Sequence, residues 1–289
     1  MTRMAIGDVH LNVEVRGKGP ALLLLHGFTG SAATWTPHTP AWDGFTTVAV
    51  DLLGHGDSDC PPDAGRYRME RCVDDIVALL DQLSIERAAV LGYSMGGRIA
   101  LRLALHSPGR FSALVLESAS PGIEDAAERE ARVRSDAELA DAIKRDGIAA
   151  FVDRWEAQPL FSTQAKLPDA IRSALREQRL RNDPRGLANS LRGIGAGAAE
   201  PVSDRLTELR MPVLLITGAL DEKYCSLARR TAAALRSQRH EVVPDAGHAV
   251  HLEQPETFAE AVRSFLNESV TTTNSERSAR DAGSLATGS

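Results

Sequence analysis

The chain opens with alternation. Between Ile6 and Val15, the apolar residues Val9, Leu11, Val13 and Val15 take every second place, the period of a strand with one buried face. Gly17-Lys18-Gly19-Pro20 reads as a turn. After it the pattern changes to the unbroken run Ala21-Leu22-Leu23-Leu24-Leu25. Phe45–Val50, Ala88–Leu91, Ala113–Leu116 and Val213–Ile216 are of the same kind. Runs of this length and character suit strands covered on both faces, as in a parallel sheet. Between them the period is helical: Cys72-Val73, Ile76-Val77, Leu79-Leu80 and Leu83 share one face. Strand alternating with helix predicts an α/β fold with a doubly wound, mostly parallel sheet.

The rhythm stops between about Gly122 and Gly197, where Ala, Arg and Glu dominate at helical spacing and no buried-strand run occurs. This predicts a helical cap, residues 123–197, inserted between two parts of the core, residues 1–122 and 198–268. The rhythm resumes with a strand at Val213–Thr217, a helix near Ser226–Leu235, a strand at Glu241–Val243 and a helix at Pro255–Leu266. Residues 269–289 are rich in Ser, Thr, Gly and Ala without a period, which predicts a disordered tail.

Composition narrows the function. The 289 residues carry a net charge of −6 and no long basic block, which argues against a nucleic-acid surface. Cys60, Cys72 and Cys225 are odd in number and widely spaced, with no CxxC pair. That predicts reduced thiols in a cytoplasmic protein and no structural zinc. Met1–Val15 holds no signal-peptide stretch, and no apolar run is long enough to span a bilayer. Neither a metal-ligand cluster nor a Gly-rich phosphate loop is visible, so no cofactor is expected.

The chemistry centres on Gly92-Tyr93-Ser94-Met95-Gly96. It fits G-x-S-x-G, the nucleophile elbow, and lies between a predicted strand and a predicted helix (Arg98–Leu105), as that motif requires. A serine hydroxyl needs a histidine to take its proton, and the histidine needs a carboxylate to fix its tautomer. In this fold they follow in the order Ser, acid, His. Asp221 stands after the strand Val213–Thr217, with Glu222 and Asp245 as alternatives. His248 stands after the strand Glu241–Val243, with His251 and His240 as alternatives. The first-named pair sits just past strand C-termini, where open α/β sheets place their sites. Two backbone N–H donors are needed for an oxyanion hole: Met95, directly after the serine, and Phe28, in the loop His26-Gly27-Phe28-Thr29-Gly30. His26 and the Asp51–Ser58 loop read as structural.

Arg98 lies one helical turn beyond Ser94 and can lean back toward it. A guanidinium there is costly unless it meets an anion, either a protein carboxylate or a substrate's.

Several segments together resemble one family: Gly92–Arg98, Glu117–Gly122, Trp155 with Gln158–Phe161, Leu187–Gly197 and Asp221–Tyr224. They are similar to the 2-succinyl-6-hydroxy-2,4-cyclohexadiene-1-carboxylate synthases of menaquinone biosynthesis, in the α/β-hydrolase superfamily. The resemblance runs from about Leu22 to Leu266 and includes the cap. It implies a lyase that eliminates pyruvate from a small-molecule tricarboxylate, with Ser94, His248 and Asp221 serving base chemistry. It further implies anion-binding roles for Arg98, Arg132 and Arg176, with Arg179 as a substitute for Arg176. Tyr93, Trp155 and Lys223 would also line the pocket.

Overall fold

A computed structural model describes residues 1–269 of the chain. Among the described residues, eight strands form one sheet in the order β1-β2-β4-β3-β5-β6-β7-β8. They are β1 (Thr2–Ile6), β2 (Val9–Arg16), β3 (Ala21–Leu25), β4 (Thr46–Val50), β5 (Ala88–Tyr93), β6 (Phe111–Glu117), β7 (Val213–Gly218) and β8 (Gln238–Val243). Among these strands β2 is the one reversed, antiparallel to both β1 and β4; β3 to β8 are parallel.

The apolar runs behave as their composition dictates. In β3, Leu23 and Leu25 pack into one cluster with Ile76 and Leu80 of α1 (Met69–Gln82) and Ile99 and Leu103 of α2 (Met95–His106). Leu22 and Leu24 face the opposite cluster, with Trp35, Trp42, Phe258 and Val262. All four leucines have 0% exposure, and each contributes about 1.5–3 kcal/mol by leaving water. A strand sandwiched between two such clusters has no polar face to show, so its sequence has no alternation.

Two differences from the sequence reading concern strands. The alternation from Ile6 to Val15 is not one strand: the chain reverses at Gly7 (φ 59), and Ile6 pairs with Val9 across the turn. The period-2 pattern of β2 masks the reversal. β8 begins at Gln238, three residues before the strand expected from Glu241, because an edge strand can be polar.

Between β6 and β7 lie three α-helices: α3 (Ala126–Glu156), α4 (Asp169–Leu180) and α5 (Pro184–Ile194). Helix α3 is broken at Gly147 (φ 82, ψ 174). Ala140, Ile143, Phe151, Val152, Leu187, Ala188 and Leu191 form their own apolar cluster, so the insertion has a small core apart from the sheet. After β7 come α6 (Glu222–Ala234), the short α7 (Val250–Glu253) and a further helix over residues 255–269. Ser269 belongs to that helix rather than to a tail; the tail expectation otherwise falls on residues 270–289, outside the described residues.

Candidate active site

Ser94 occupies the turn between β5 and α2 at φ 50, ψ −105, a region that L residues rarely enter and that costs about 1–3 kcal/mol. The turn is tight enough to exclude side chains. A Cβ on Gly92 would lie 2.3 Å from the Gly96 carbonyl oxygen, and one on Gly96 would lie 2.2 Å from that of Leu25. The Ser94 amide donates to the Glu117 carbonyl at 2.8 Å, which pins the turn to β6.

Two loops at the same sheet edge meet the serine. His248 Nε2 lies 3.0 Å from Ser94 Oγ, and its Nδ1 lies 2.8 Å from Asp221 Oδ2. Both His248 (2% exposed) and Asp221 (8%) are buried. With Nδ1–H donating to the carboxylate, Nε2 is left to accept from the serine hydroxyl. Asp221 is itself fixed as the N-cap of α6, accepting from the Tyr224 amide at 3.2 Å. Glu253 holds the histidine loop by accepting from the Gly247 amide at 2.8 Å. The alternatives face elsewhere. Glu222 is exposed, and Asp245 sits in a left-handed turn (φ 56). His240 contacts Thr217 Oγ1 at 2.9 Å. His251 bonds the fully buried Glu117 at 2.8 Å.

Over the serine is a cavity of about 480 Å³. Phe28 and Met95 line it, and neither backbone N–H makes a main-chain hydrogen bond among the described residues. The Phe28 loop is braced by His26, whose Nδ1 lies 2.7 Å from the Gly27 oxygen. The Asp51 carboxylate is likewise occupied, accepting from the Ala32 and Asp57 amides and from Asn12 Nδ2.

Three arginines among the described residues line the cavity. Arg98 is half-buried, and its guanidinium donates to the Ile194 carbonyl at 2.7 Å. Among the described residues it makes no direct ion pair, although Asp136, held by Arg132, and Tyr224 attract it through space; burial, before any neighbour, pushes its pKa down. Arg132 bonds Asp136 at 2.8 Å; burial raises the pKa of that carboxyl while Arg132 opposes the rise. Arg179 is buried (6% exposed). It donates to Glu156 at 3.0 Å and to Gln164 at 3.2 Å. Its Cζ lies 5.6 Å from the ring centre of Phe161, and its Nε has no partner among the described residues. Tyr93 and Trp155 also line the space. Trp155 packs in addition on Phe28, Phe151 and Phe161 at 5.2–5.5 Å.

Two residues expected here lie elsewhere. Arg176 is outside the lining because Asp153 and Glu156 hold it at the surface of the insertion, at 2.5 Å and 2.7 Å; Arg179, one turn on, is the one that enters. Lys223 is exposed and borders a neighbouring groove. One residue further along α6, Tyr224 turns inward, with its ring 4.5 Å from that of His248. Sequence reasoning missed Tyr224. Its signal was Asp221 as a helix cap, since a capped helix start fixes which of the next residues point at the cap.

Among the described residues, no group of three or more His, Cys, Asp or Glu side chains is gathered for a metal. No helix among them is long and apolar enough to cross a membrane.

Comparison with known proteins identifies the fold and the family. The alpha/beta hydrolase fold family matches residues 20–255. A Bacillus subtilis protein provisionally named 2-succinyl-6-hydroxy-2,4-cyclohexadiene-1-carboxylate synthase is 45% identical over 271 residues, 90% of this chain and 99% of that one. A synthase of the same name from Serratia proteamaculans is 34% identical, over 86% and 93% of the two chains. The solved structure of MenH from S. aureus matches with a TM-score of 0.86 and 32% identity, over 90% and 98%. The chain therefore belongs to the 2-succinyl-6-hydroxy-2,4-cyclohexadiene-1-carboxylate synthase family, among the enzymes of the α/β-hydrolase fold.

Proposed function

We propose that this enzyme is a lyase of menaquinone biosynthesis. It eliminates pyruvate from 2-succinyl-5-enolpyruvyl-6-hydroxy-3-cyclohexene-1-carboxylate and leaves 2-succinyl-6-hydroxy-2,4-cyclohexadiene-1-carboxylate. The observation that carries this reading is Arg98: a cation in the wall of the serine's cavity that makes no direct ion pair among the described residues, its neighbouring carboxylate, Asp136, being engaged by Arg132. A hydrolase for neutral esters has no use for that charge, whereas a substrate with three carboxylates supplies the missing partner. Arg132 and Arg179 would receive the others.

The triad then works as a base relay. His248 Nε2 takes the Ser94 hydroxyl proton, and Ser94 Oγ takes the proton from the ring carbon next to the succinyl ketone. The ketone oxygen becomes an enolate, held by the Phe28 and Met95 N–H groups. As the enolate collapses, a new ring double bond forms, the existing one shifts and the bond to the enolpyruvyl oxygen breaks. The departing enolate takes up a proton and becomes pyruvate. Asp221 stabilises the imidazolium throughout, and no acyl-enzyme forms.

The test compares two substrates. The enolpyruvyl compound should release pyruvate far faster than any p-nitrophenyl ester is cleaved. The reverse ranking would make the protein a serine esterase or a carbon–carbon bond hydrolase of the same fold.

A further inference from the structure

We infer that Asn182, a residue of the helical insertion, positions the Phe28 amide of the oxyanion hole; the inference rests on the oxyanion hole assigned above. The turn that carries that amide is strained. Gly27-Phe28-Thr29-Gly30 is closed by the Gly30 amide on the Gly27 carbonyl at 3.0 Å. Its third residue, Thr29, has φ 69, where glycine is favoured and a β-branched side chain is strained. Such a turn holds its shape only if its neighbours fix it.

It is fixed from two sides. From the sheet, His26 Nδ1–H donates to the Gly27 carbonyl at 2.7 Å, while His26 Nε2 accepts from the Leu52 amide at 3.0 Å. From the insertion, Asn182 Nδ2 donates to the Thr29 carbonyl at 3.0 Å. Asn182 Oδ1 accepts from the Gly56 amide at 3.1 Å. Because that partner is an N–H group, the side-chain amide has only one orientation here. Asn182 is 4% exposed and Thr29 also 4%, so water cannot replace the lost bond easily. A second tie runs beside it: Gln178 Nε2 donates to Ser31 Oγ at 2.8 Å and to Thr34 Oγ1 at 3.1 Å.

The consequence is mechanical. Arg179 enters the cavity from the last turn of α4, three residues before Asn182. The segment that offers a cation to the substrate also grips the carbonyl next to the oxyanion donor. Asn182 touches neither substrate nor triad; it acts through Thr29 and Phe28.

The experiment measures Asn182→Ala and Asn182→Asp for pyruvate release and for p-nitrophenyl acetate cleavage, per folded enzyme. The Asp variant keeps the shape and the acceptor for Gly56 but turns its second oxygen toward the Thr29, Gln178 and Arg179 carbonyls, so it should lower kcat at least as far, and boronate affinity per folded enzyme decides the test if either variant folds poorly. We expect kcat to fall about 10- to 100-fold with KM within about threefold. Affinity for phenylboronic acid, which adds to Ser94 and sets an oxygen in the hole, should weaken in parallel. Thr29→Gly in the Asn182→Ala background should restore part of kcat, because glycine takes the positive φ without strain. A lower melting temperature with unchanged kcat and boronate affinity would overturn the inference. Wild-type enzyme that cleaves the ester but releases no pyruvate would refute the lyase reading instead, and the ester kcat ratio would still decide the role of Asn182.

Discussion

Replacing Arg98 with methionine separates a functional arginine from a structural one, because the two predict opposite signs. In the free enzyme the guanidinium is half-buried, holds one carbonyl oxygen, that of Ile194, and makes no direct ion pair among the described residues. Its loss removes its attraction to that carbonyl and, at a distance, to Asp136, worth about 1 kcal/mol, but it also removes the cost of a partly desolvated cation, of similar size. The two nearly cancel, so the melting temperature should stay within about 2 °C of the wild type or rise. With substrate bound the balance changes. A charge-assisted bond to a carboxylate contributes about 1.5–3 kcal/mol. Removing it should lower kcat/KM for the tricarboxylate by about 10- to 150-fold. The assays are thermal melting and pyruvate release under kcat/KM conditions. Arg98→Lys should recover part of the loss, since it restores charge without the planar fork. A melting temperature lower by about 5 °C or more, with kcat/KM per folded enzyme unchanged, would refute the reasoning and make Arg98 a structural residue.

Other outcomes follow from the same geometry. Asp221→Asn should leave the fold intact and lower kcat by about 10³- to 10⁴-fold, because the amide no longer selects the Nδ1–H tautomer of His248; circular dichroism with steady-state kinetics checks both halves. Arg179→Ala should lower kcat/KM at least about tenfold, whereas Arg176→Ala should change it by less than about twofold; the opposite order would mean that the insertion docks differently in solution. His38 is buried among Trp35, Trp42, His251 and Phe258. Burial first, and His251 second, push its pKa down to about 3. Below about pH 6.5 the unfolded chain takes up a proton there that the folded chain refuses, down to about pH 3. Stability should therefore fall with acid by about 1.4 kcal/mol per pH unit from this group. His38→Gln should flatten the denaturation profile by that slope, and an unchanged slope would refute the assignment.

What the sequence disclosed and what it hid have physical causes. The elbow and its partners were legible because each rests on local constraints: two glycines that the Ser94 turn demands, and loops that follow buried strands. The hairpin at Gly7 was hidden because alternation looks the same on both sides of a two-residue turn. The choice between Arg176 and Arg179 stayed open in the sequence because both lie near one face of α4, and the acidic partners that hold Arg176, Asp153 and Glu156, come from another helix. Lys223 and Tyr224 differ by about 100° of helix rotation, a phase that depends on how α6 docks. Asn182 was beyond reach altogether, since its partner Thr29 is 153 residues away.

Ser94 is proposed as the base of an elimination. The most direct measurement follows pyruvate and the conjugated diene together, from the enolpyruvyl substrate, with wild-type enzyme and with Ser94→Ala. One pyruvate should appear for each diene formed, and both should fall at least about 10³-fold for the variant. Pyruvate release without the diene, or equal rates for the two enzymes, would contradict that role.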